Sequence, residues 1–202
     1  EYLDTIDSMG FFEVIDITKE DSSRNQKYKE NIKREIAKTK YKDINEYLHE
    51  LKMEVIVSSF NEINLKRIHQ LINKTNQFNL TTKRYTLNEI QKFIDSDKFR
   101  ALSFNLSDSF GDYGLVGIVI IEIKNSKEWV INSLLMSCRA IGRKLEHFIM
   151  DTIVSLAKNY KTEKIGGYYN KTRFNEPVIE YFNSMGFHEI KSTNVKKKYE
   201  LN

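Results

Sequence analysis

The 202-residue sequence predicts an α+β protein: a mixed, mostly antiparallel sheet flanked by helices and preceded by a helical N-terminal segment. Three observations carry that prediction. Three β-like runs follow one another at 99–106, 115–123 and 129–136, separated by Gly111-Asp112-Tyr113-Gly114 and by Lys124-Asn-Ser-Lys127, the pattern of an antiparallel meander. Directly afterwards Ile141, Leu145, Phe148, Ile149, Thr152, Ile153, Leu156 and Ala157 recur at i, i+4, i+7 and i+8 over four turns, so a long amphipathic helix must cover one face of the sheet. Helical and strand-like patterns then lie on both sides of this block.

Taken in order, residues 1–50 are dense in Lys and Glu and read as helix after helix. Thr18-Lys-Glu-Asp21 has the form of a capping box, and Tyr28, Ile32 and Ile36 then make a narrow apolar stripe that needs a partner surface. Asp43-Ile-Asn-Glu46 offers a second capping box for a short helix ending near Leu51, where the character of the chain changes. A domain boundary is expected there, between residues 1–50 and 51–202. A strand at 53–58 leads to a helix at 62–74 with Leu65, Ile68, Leu71 and Ile72 on one face. A helix at 86–95 follows, introduced by Thr86 with Glu89 three residues on. Beyond the long helix come a strand at 164–169, a helix at 176–184 stopped by Gly186, and a closing β segment at 195–201.

Composition narrows the function classes. Hydrophobic residues at 40% and charged residues at 30% suit one sizeable core with an appendage. A net charge of +4, with both signs spread along the chain, gives no electrostatic argument for nucleic acid. One proline and eight glycines leave no Pro/Gly-rich linker. The single cysteine excludes an internal disulfide framework and fits a reducing compartment, so a cytoplasmic location is expected. His49, His69, His147 and His188 have no second cysteine beside them, and no metal site is expected. The longest apolar run, 115–121, is far short of a membrane span, and the opening ten residues lack the basic start and apolar stretch of a secretory signal. The chain starts at Glu1 and reads as cut from something longer. Phosphate binding, acyl transfer or plain binding remain.

The informative stretch is Ser137-Cys138-Arg139-Ala140-Ile141-Gly142-Arg143-Lys144, where the last strand of the meander turns into the long helix. A strand, a short Gly-containing turn and a helix expose backbone N–H groups at the positive end of the helix dipole, a seat for phosphate. Ser137, Arg139, Gly142, Arg143 and Lys144 form the candidate phosphate- or pantetheine-binding turn. The same field favours a thiolate, which makes Cys138 a candidate nucleophile or acyl carrier. The alternative is a small buried hydrophobe.

Arg139-Ala-Ile-Gly142-Arg-Lys144 is similar to the R-x-x-G-x-G/A pyrophosphate loop of the GNAT acyltransferase superfamily, with Lys144 in place of the last small residue. Asn175-Glu-Pro-Val-Ile-Glu-Tyr181-Phe182-Asn-Ser-Met-Gly186-Phe187 resembles that superfamily's late helix, N-x-x-A-x-x-L-Y-x-x-x-G-F. Phe182 stands where a tyrosine commonly serves as general acid. Phenylalanine has no proton to give, and Tyr181 points about 100° around the helix. A narrower resemblance covers nearly the whole chain. Residues 74–86, Phe110-Gly111-Asp112-Tyr113-Gly114-Leu115-Val116-Gly117 and Leu134-Leu135-Met136-Ser137-Cys138-Arg139 resemble the FkbH family. In that family a haloacid-dehalogenase-like (HAD-like) phosphatase domain precedes a GNAT-like domain.

The resemblance implies a glyceryl transferase that loads a glyceryl unit from a phosphorylated glycerate onto an acyl carrier protein, as the start of methoxymalonyl and related extender units in polyketide biosynthesis. Cys138 would hold the glyceryl thioester; His69, near Asn76 in the sequence, is the candidate base. The implied cofactor is coenzyme A or the phosphopantetheine of the carrier protein. The implied partners are that carrier and the phosphatase domain of the same full-length chain, with neither nucleic acid nor membrane among them. Residues 1–50 resemble the end of the phosphatase half. The D-x-D-x-T nucleophile motif of that half is absent, since Asp95-Ser-Asp97 lacks the Thr and ends a polar helix, so this fragment should bring neither phosphatase activity nor its magnesium site. Asn76, Gln77, Phe78, Asn79, Thr81 and Asn175 are the expected substrate-binding residues, and helix caps and turns are the other use for such a segment. Lys196-Lys197-Lys198 is either a greeting surface for an acidic carrier or solvated charge. The other two function classes are an acetyl-CoA-dependent N-acyltransferase and a non-catalytic carrier-docking module.

Overall fold

The computed structural model describes residues 24–202, with side chains from Lys29 onward. The capping box at Thr18 and the side chain of Tyr28 lie outside the described residues. The elements are α1 (Arg24–Lys38), α2 (Ile44–Glu50), β1 (Glu54–Ser59), α3 (Leu65–Lys74), β2 (Phe78–Asn79), α4 (Leu87–Asp95), β3 (Phe99–Asp108), β4 (Gly111–Asn125) and β5 (Glu128–Met136), then a 3-10 turn at Cys138–Ala140, and α5 (Leu145–Asn159). Then follow β6 (Lys164–Asn170), a second 3-10 turn at Glu176–Val178, α6 (Tyr181–Ser184), β7 (His188–Ser192) and β8 (Lys196–Leu201).

The sheet runs in the order β1-β3-β4-β5-β6-β8-β7, with β2 added against β5. Its pairings are antiparallel except β5 with β6, which α5 joins by a crossover, as a parallel pair requires. One face is covered by α5, whose Leu145, Ile149 and Ile153 pack with Val119, Ile121, Trp129 and Leu134. The other face is covered over β3 and β4 by α3 and α4, where Ile68, Leu71, Ile72 and Ile90 meet Ile118, Ile120 and Leu135. The capping box at Thr86 and Glu89 is formed: the Glu89 carboxylate accepts the Thr86 N–H at 2.8 Å and the Thr86 hydroxyl accepts the Glu89 N–H at 3.3 Å.

Several sequence expectations shift. The long helix starts at Leu145 rather than Ile141, because Gly142 (φ 78°) and Lys144 (φ 57°) hold a left-handed backbone just before it. Gly111-Asp112-Tyr113-Gly114 opens β4 instead of forming the turn; the reversal is made by Asp108, whose Oδ1 accepts the N–H groups of Phe110 (2.9 Å) and Gly111 (3.1 Å). On α1 the expected stripe faces outward, with Ile36 57% exposed. The buried side chains there are Glu30 and Arg34. Arg34 Nε and Nη2 donate to the two oxygens of Asp108 at 2.7 and 2.8 Å, and its guanidinium stacks 4.0 Å over the Tyr113 ring. The 176–184 segment divides into a 3-10 turn and the short α6. β7, with five exposed residues in a row, carries no hydrophobic alternation to announce it.

Candidate functional site

The turn between β5 and α5 is shaped by its own side chains. Ser137 Oγ accepts both the backbone N–H and the Nε–H of Arg139 at 3.4 Å, and Cys138 follows with an exposed thiol. Arg143 and Lys144, expected to hold phosphate, point toward the N-terminal helices. Arg143 Nε donates to the Tyr113 hydroxyl at 2.7 Å, and Lys144 Nζ donates to Asn45 Oδ1, on α2, at 2.8 Å. Tyr113 in turn donates to Asp108 at 2.9 Å. Burial, with Asp108 adding to it and Arg143 opposing, pushes the Tyr113 hydroxyl well above its usual range, so it stays a neutral link. Arg67 Nη2, from α3, reaches the carbonyl of Leu115 at 3.3 Å, one residue from Val116, whose carbonyl accepts the Ser137 N–H.

Beside this turn the sheet forks. β5 and β6 pair only from Glu128/Lys164 to Ile131/Gly167, and a bulge at Asn132 bends β5 just beyond. A forked parallel pair leaves backbone groups that an extended ligand could join by β-addition. Here the chain fills that space itself. Phe78 and Asn79 pair with Met136 and Leu135, the Leu80 N–H donates to the Leu134 carbonyl at 3.1 Å, and the Leu80 carbonyl accepts the Asn170 N–H at 2.8 Å. Asn175, fully buried, locks the insertion. Its Nδ2 donates to the Asn79 and Asn170 carbonyls at 2.8 and 2.9 Å, while Oδ1 accepts from Thr172 N at 2.8 Å and Tyr169 OH at 3.2 Å.

A groove of about 240 Å³ lies between the start of α5 and the 177–185 segment, lined by Phe78, Glu146, His147, Glu180 and Tyr181 among others. Tyr181 donates to the Glu146 carbonyl at 2.8 Å, and deep burial, reinforced by Glu146, raises its hydroxyl far above the usual range. Phe182 is core: its ring stacks on Tyr199 at 5.1 Å, and a Cβ at Gly167 would sit 2.4 Å from it. Phe182 therefore fills a space made for a ring without a polar tip.

Several expected site residues thus have structural tasks. Phe78, Asn79, Thr81 and Asn175 are buried. Thr81 Oγ1 donates to the Asn132 carbonyl at 3.1 Å, Asn79 Nδ2 donates to the Thr75 carbonyl at 3.2 Å, and Asn76 Oδ1 accepts from Arg84. The buried polar side chains of Asn79, Thr81 and Asn175 are turned to backbone partners inside the protein, while Asn76 remains exposed. Gln77 is exposed at the mouth of that segment. His69 is half-buried on α3, and its carbonyl accepts from Asn73 at 2.9 Å. Sequence reading missed the Asn132 bulge, the Arg67 contact and the acidic lining of the groove; none has a local motif.

No protein-family model and no curated protein matches the sequence. Solved structures do. The ribosomal-protein-S18-alanine N-acetyltransferase from Escherichia coli matches at 9% identity and TM-score 0.56, over 73% of this chain and 93% of that one. The GNAT domain of S. lividans PAT matches at 12% and 0.56, over 72% and 88%. Rv2747 from Mycobacterium tuberculosis, solved in complex with CoA and NLQ, matches at 15% and 0.55, over 72% and 98%. Coenzyme A is bound in the Rv2747 structure; in this chain the backbone groups that the fork would offer an extended pantetheine at Leu134–Met136 are already held by Phe78–Asn79 and Leu80, so the fork as it stands does not fit one. This mixed, mostly antiparallel sheet, which superposes on these structures over more than 70% of the chain at such low identity, gives this chain the GNAT fold.

Proposed function

We propose that this chain is the GNAT-like part of an FkbH-type glyceryl transferase, an acyltransferase in which Cys138 carries the glyceryl group between a phosphorylated glycerate and the pantetheine thiol of an acyl carrier protein. The observation that carries the reading is the exposed thiol of Cys138 at the end of β5, next to a fork that the chain has closed to pantetheine. With the fork filled, acyl transfer through a ternary complex in the sheet has no room, whereas a surface thiol can be reached from solvent by donor and acceptor in turn. The Cys138 sulfur attacks the carbonyl of a glycerate phosphorylated on its carboxyl group, an acyl phosphate; the C–S bond forms and the carbonyl C–O bond to phosphate breaks, with phosphate leaving and the thiol proton passing to water. The carrier thiolate then attacks the thioester carbonyl and releases the Cys138 sulfur. The carrier protein and the phosphatase half of the full-length chain are the proposed partners.

Intact-protein mass spectrometry after incubation with a glycerate-derived acyl phosphate tests this. A single glyceryl adduct that disappears in Cys138→Ser and is discharged by a carrier protein is the expected result. No adduct, or one that persists in Cys138→Ser, overturns it.

A further inference from the structure

The lysine run near the C-terminus is split by the pleat of β8. Lys197 points to one side and pairs with Glu189 at 3.0 Å. Lys196 and Lys198 lie opposite Asn170 and Tyr168 of β6, on the face of the sheet away from α5. The helices α3 and α4 cover that face over β3, β4 and the end of β5, where Leu135 is buried, whereas Tyr168 and Asn170 of β6 and Lys196 and Lys198 of β8 are not buried. Other lysines on this face are paired: Lys124 with Glu122, and Lys164 with Glu200 at 2.9 Å. Lys196, Lys198 and Lys83 have no carboxylate at ion-pair distance among the described residues.

Two of these cations, Lys83 and Lys196, lie at the fork. The Asn132 side chain, at the bulge, is held by Glu122, whose Oε2 accepts from Asn132 Nδ2 at 2.9 Å. This turns Asn132 Oδ1 toward Lys83 Nζ, 3.3 Å away. Asn170 Nδ2 donates to the Thr81 carbonyl at 3.0 Å, which brings the Lys196 pair position beside the loop that carries Lys83. The Lys196 ammonium rests 4.6 Å from the centre of the Tyr168 ring. Partial burial, then the charge of Lys196, hold the Lys83 ammonium below its usual range, with Glu122 opposing them and Lys124 adding to them. Like charges gathered around one amide raise the free energy of the empty face, and an anion between them lowers it.

We propose that Lys83 and Lys196, beside the Asn132 bulge, form an oxyanion-binding subsite for the carboxylate or phosphate group of a small acidic ligand. The subsite lies on this face of the fork, distinct from the Cys138 turn. It goes beyond the acyl-transfer reading and does not depend on it.

The test is a titration of ¹⁵N-labelled protein at low ionic strength with sodium phosphate, with sodium acetate and, at matched ionic strength, with sodium chloride. The Asn132 side-chain amide should move saturably with phosphate or acetate and not with chloride. Binding should weaken about fivefold in Lys83→Met and in Lys196→Met, and stay unchanged in Lys164→Met and Cys138→Ser. Response to phosphate alone assigns a phosphate ester, and response to acetate alone a carboxylate. An equal response to chloride, or unchanged affinity in both lysine variants, overturns the subsite. Since Cys138→Ser leaves this readout intact, failure here and failure of the thioester chemistry are separate results.

Discussion

Replacing Asn175 by alanine should release the segment that closes the fork. The side chain is fully buried, and truncating it strips partners from the Asn79 and Asn170 carbonyls and from the Thr172 N–H in a space that water reaches poorly. Each buried group left unsatisfied costs about 1–3 kcal/mol, and partial relaxation brings three of them to about 3–5 kcal/mol. In a chain of this length that lowers Tm by roughly 10 °C. Circular dichroism melts give the global loss. Amide hydrogen exchange gives its location, because the Leu80 and Asn170 N–H groups bridge segment 78–82 to β5 and β6 and should lose protection before the centre of β4 does. A loss below about 1 kcal/mol, with Leu80 still protected, would refute the claim that Asn175 holds the insertion.

Three further outcomes follow from the same geometry. Coenzyme A at ~1 mM should leave the melting temperature of the native chain unchanged, and a rise of more than about 2 °C would show that segment 78–82 yields to pantetheine. Gly167→Ala should destabilise by about 1–3 kcal/mol, since its Cβ would lie 2.4 Å from the Phe182 ring, and Phe182→Leu in the same chain should recover part of that; a fully stable single variant would contradict the packing. Burial alone would raise the Asp108 carboxyl, but hydrogen bonds from Arg34, Phe110 and Tyr113 outweigh it and hold the group below the usual aspartate range. Its contribution is complete above the unfolded value of about 4 and fades as pH falls through the lower folded value, so melts from about pH 5 to about pH 2 should fall less steeply in Asp108→Asn than in the native chain. Equal slopes would remove Asp108 from the acid response.

What the sequence disclosed and what it hid divide along physical lines. The meander, α4 with its capping box and the crossover α5 were legible because their signals are local: alternation, a Thr three residues from a Glu, and a 3.6-residue apolar period. The fork insertion was not. Phe78–Asn79 is two residues long, too short for any period, and its pairing with Met136 and Leu135 spans more than fifty residues. The amides of Asn79 and Asn175 look alike whether they bind substrate or backbone, and only the depth of burial separates the two uses. On α1 the pattern misled outright. Ile32 and Ile36 suggested the inner face, yet the bidentate pair of Arg34 with Asp108, seventy-four residues away, turned that face to solvent.

The departures from the acyltransferase motifs then reduce to one cause. Lys144 stands where a small residue would let an anion approach the helix, and its ammonium is spent on Asn45 of α2. Arg143, the next cation of the same turn, is tied through Tyr113 and Asp108 to Arg34 of α1. Phe182, in place of a tyrosine, fills the hollow above Gly167. Phe78–Asn79 and Leu80 fill the fork. At these positions the chain uses its own groups to hold itself together: α1 and α2 onto the turn, and segment 78–82 into the sheet. Among the exposed positions nearby are the Cys138 thiol and Lys83 and Lys196. Under the proposed function, chemistry on this fold therefore proceeds at the rim of the sheet, and variants that loosen the interior should change stability well before they change the reactivity of Cys138.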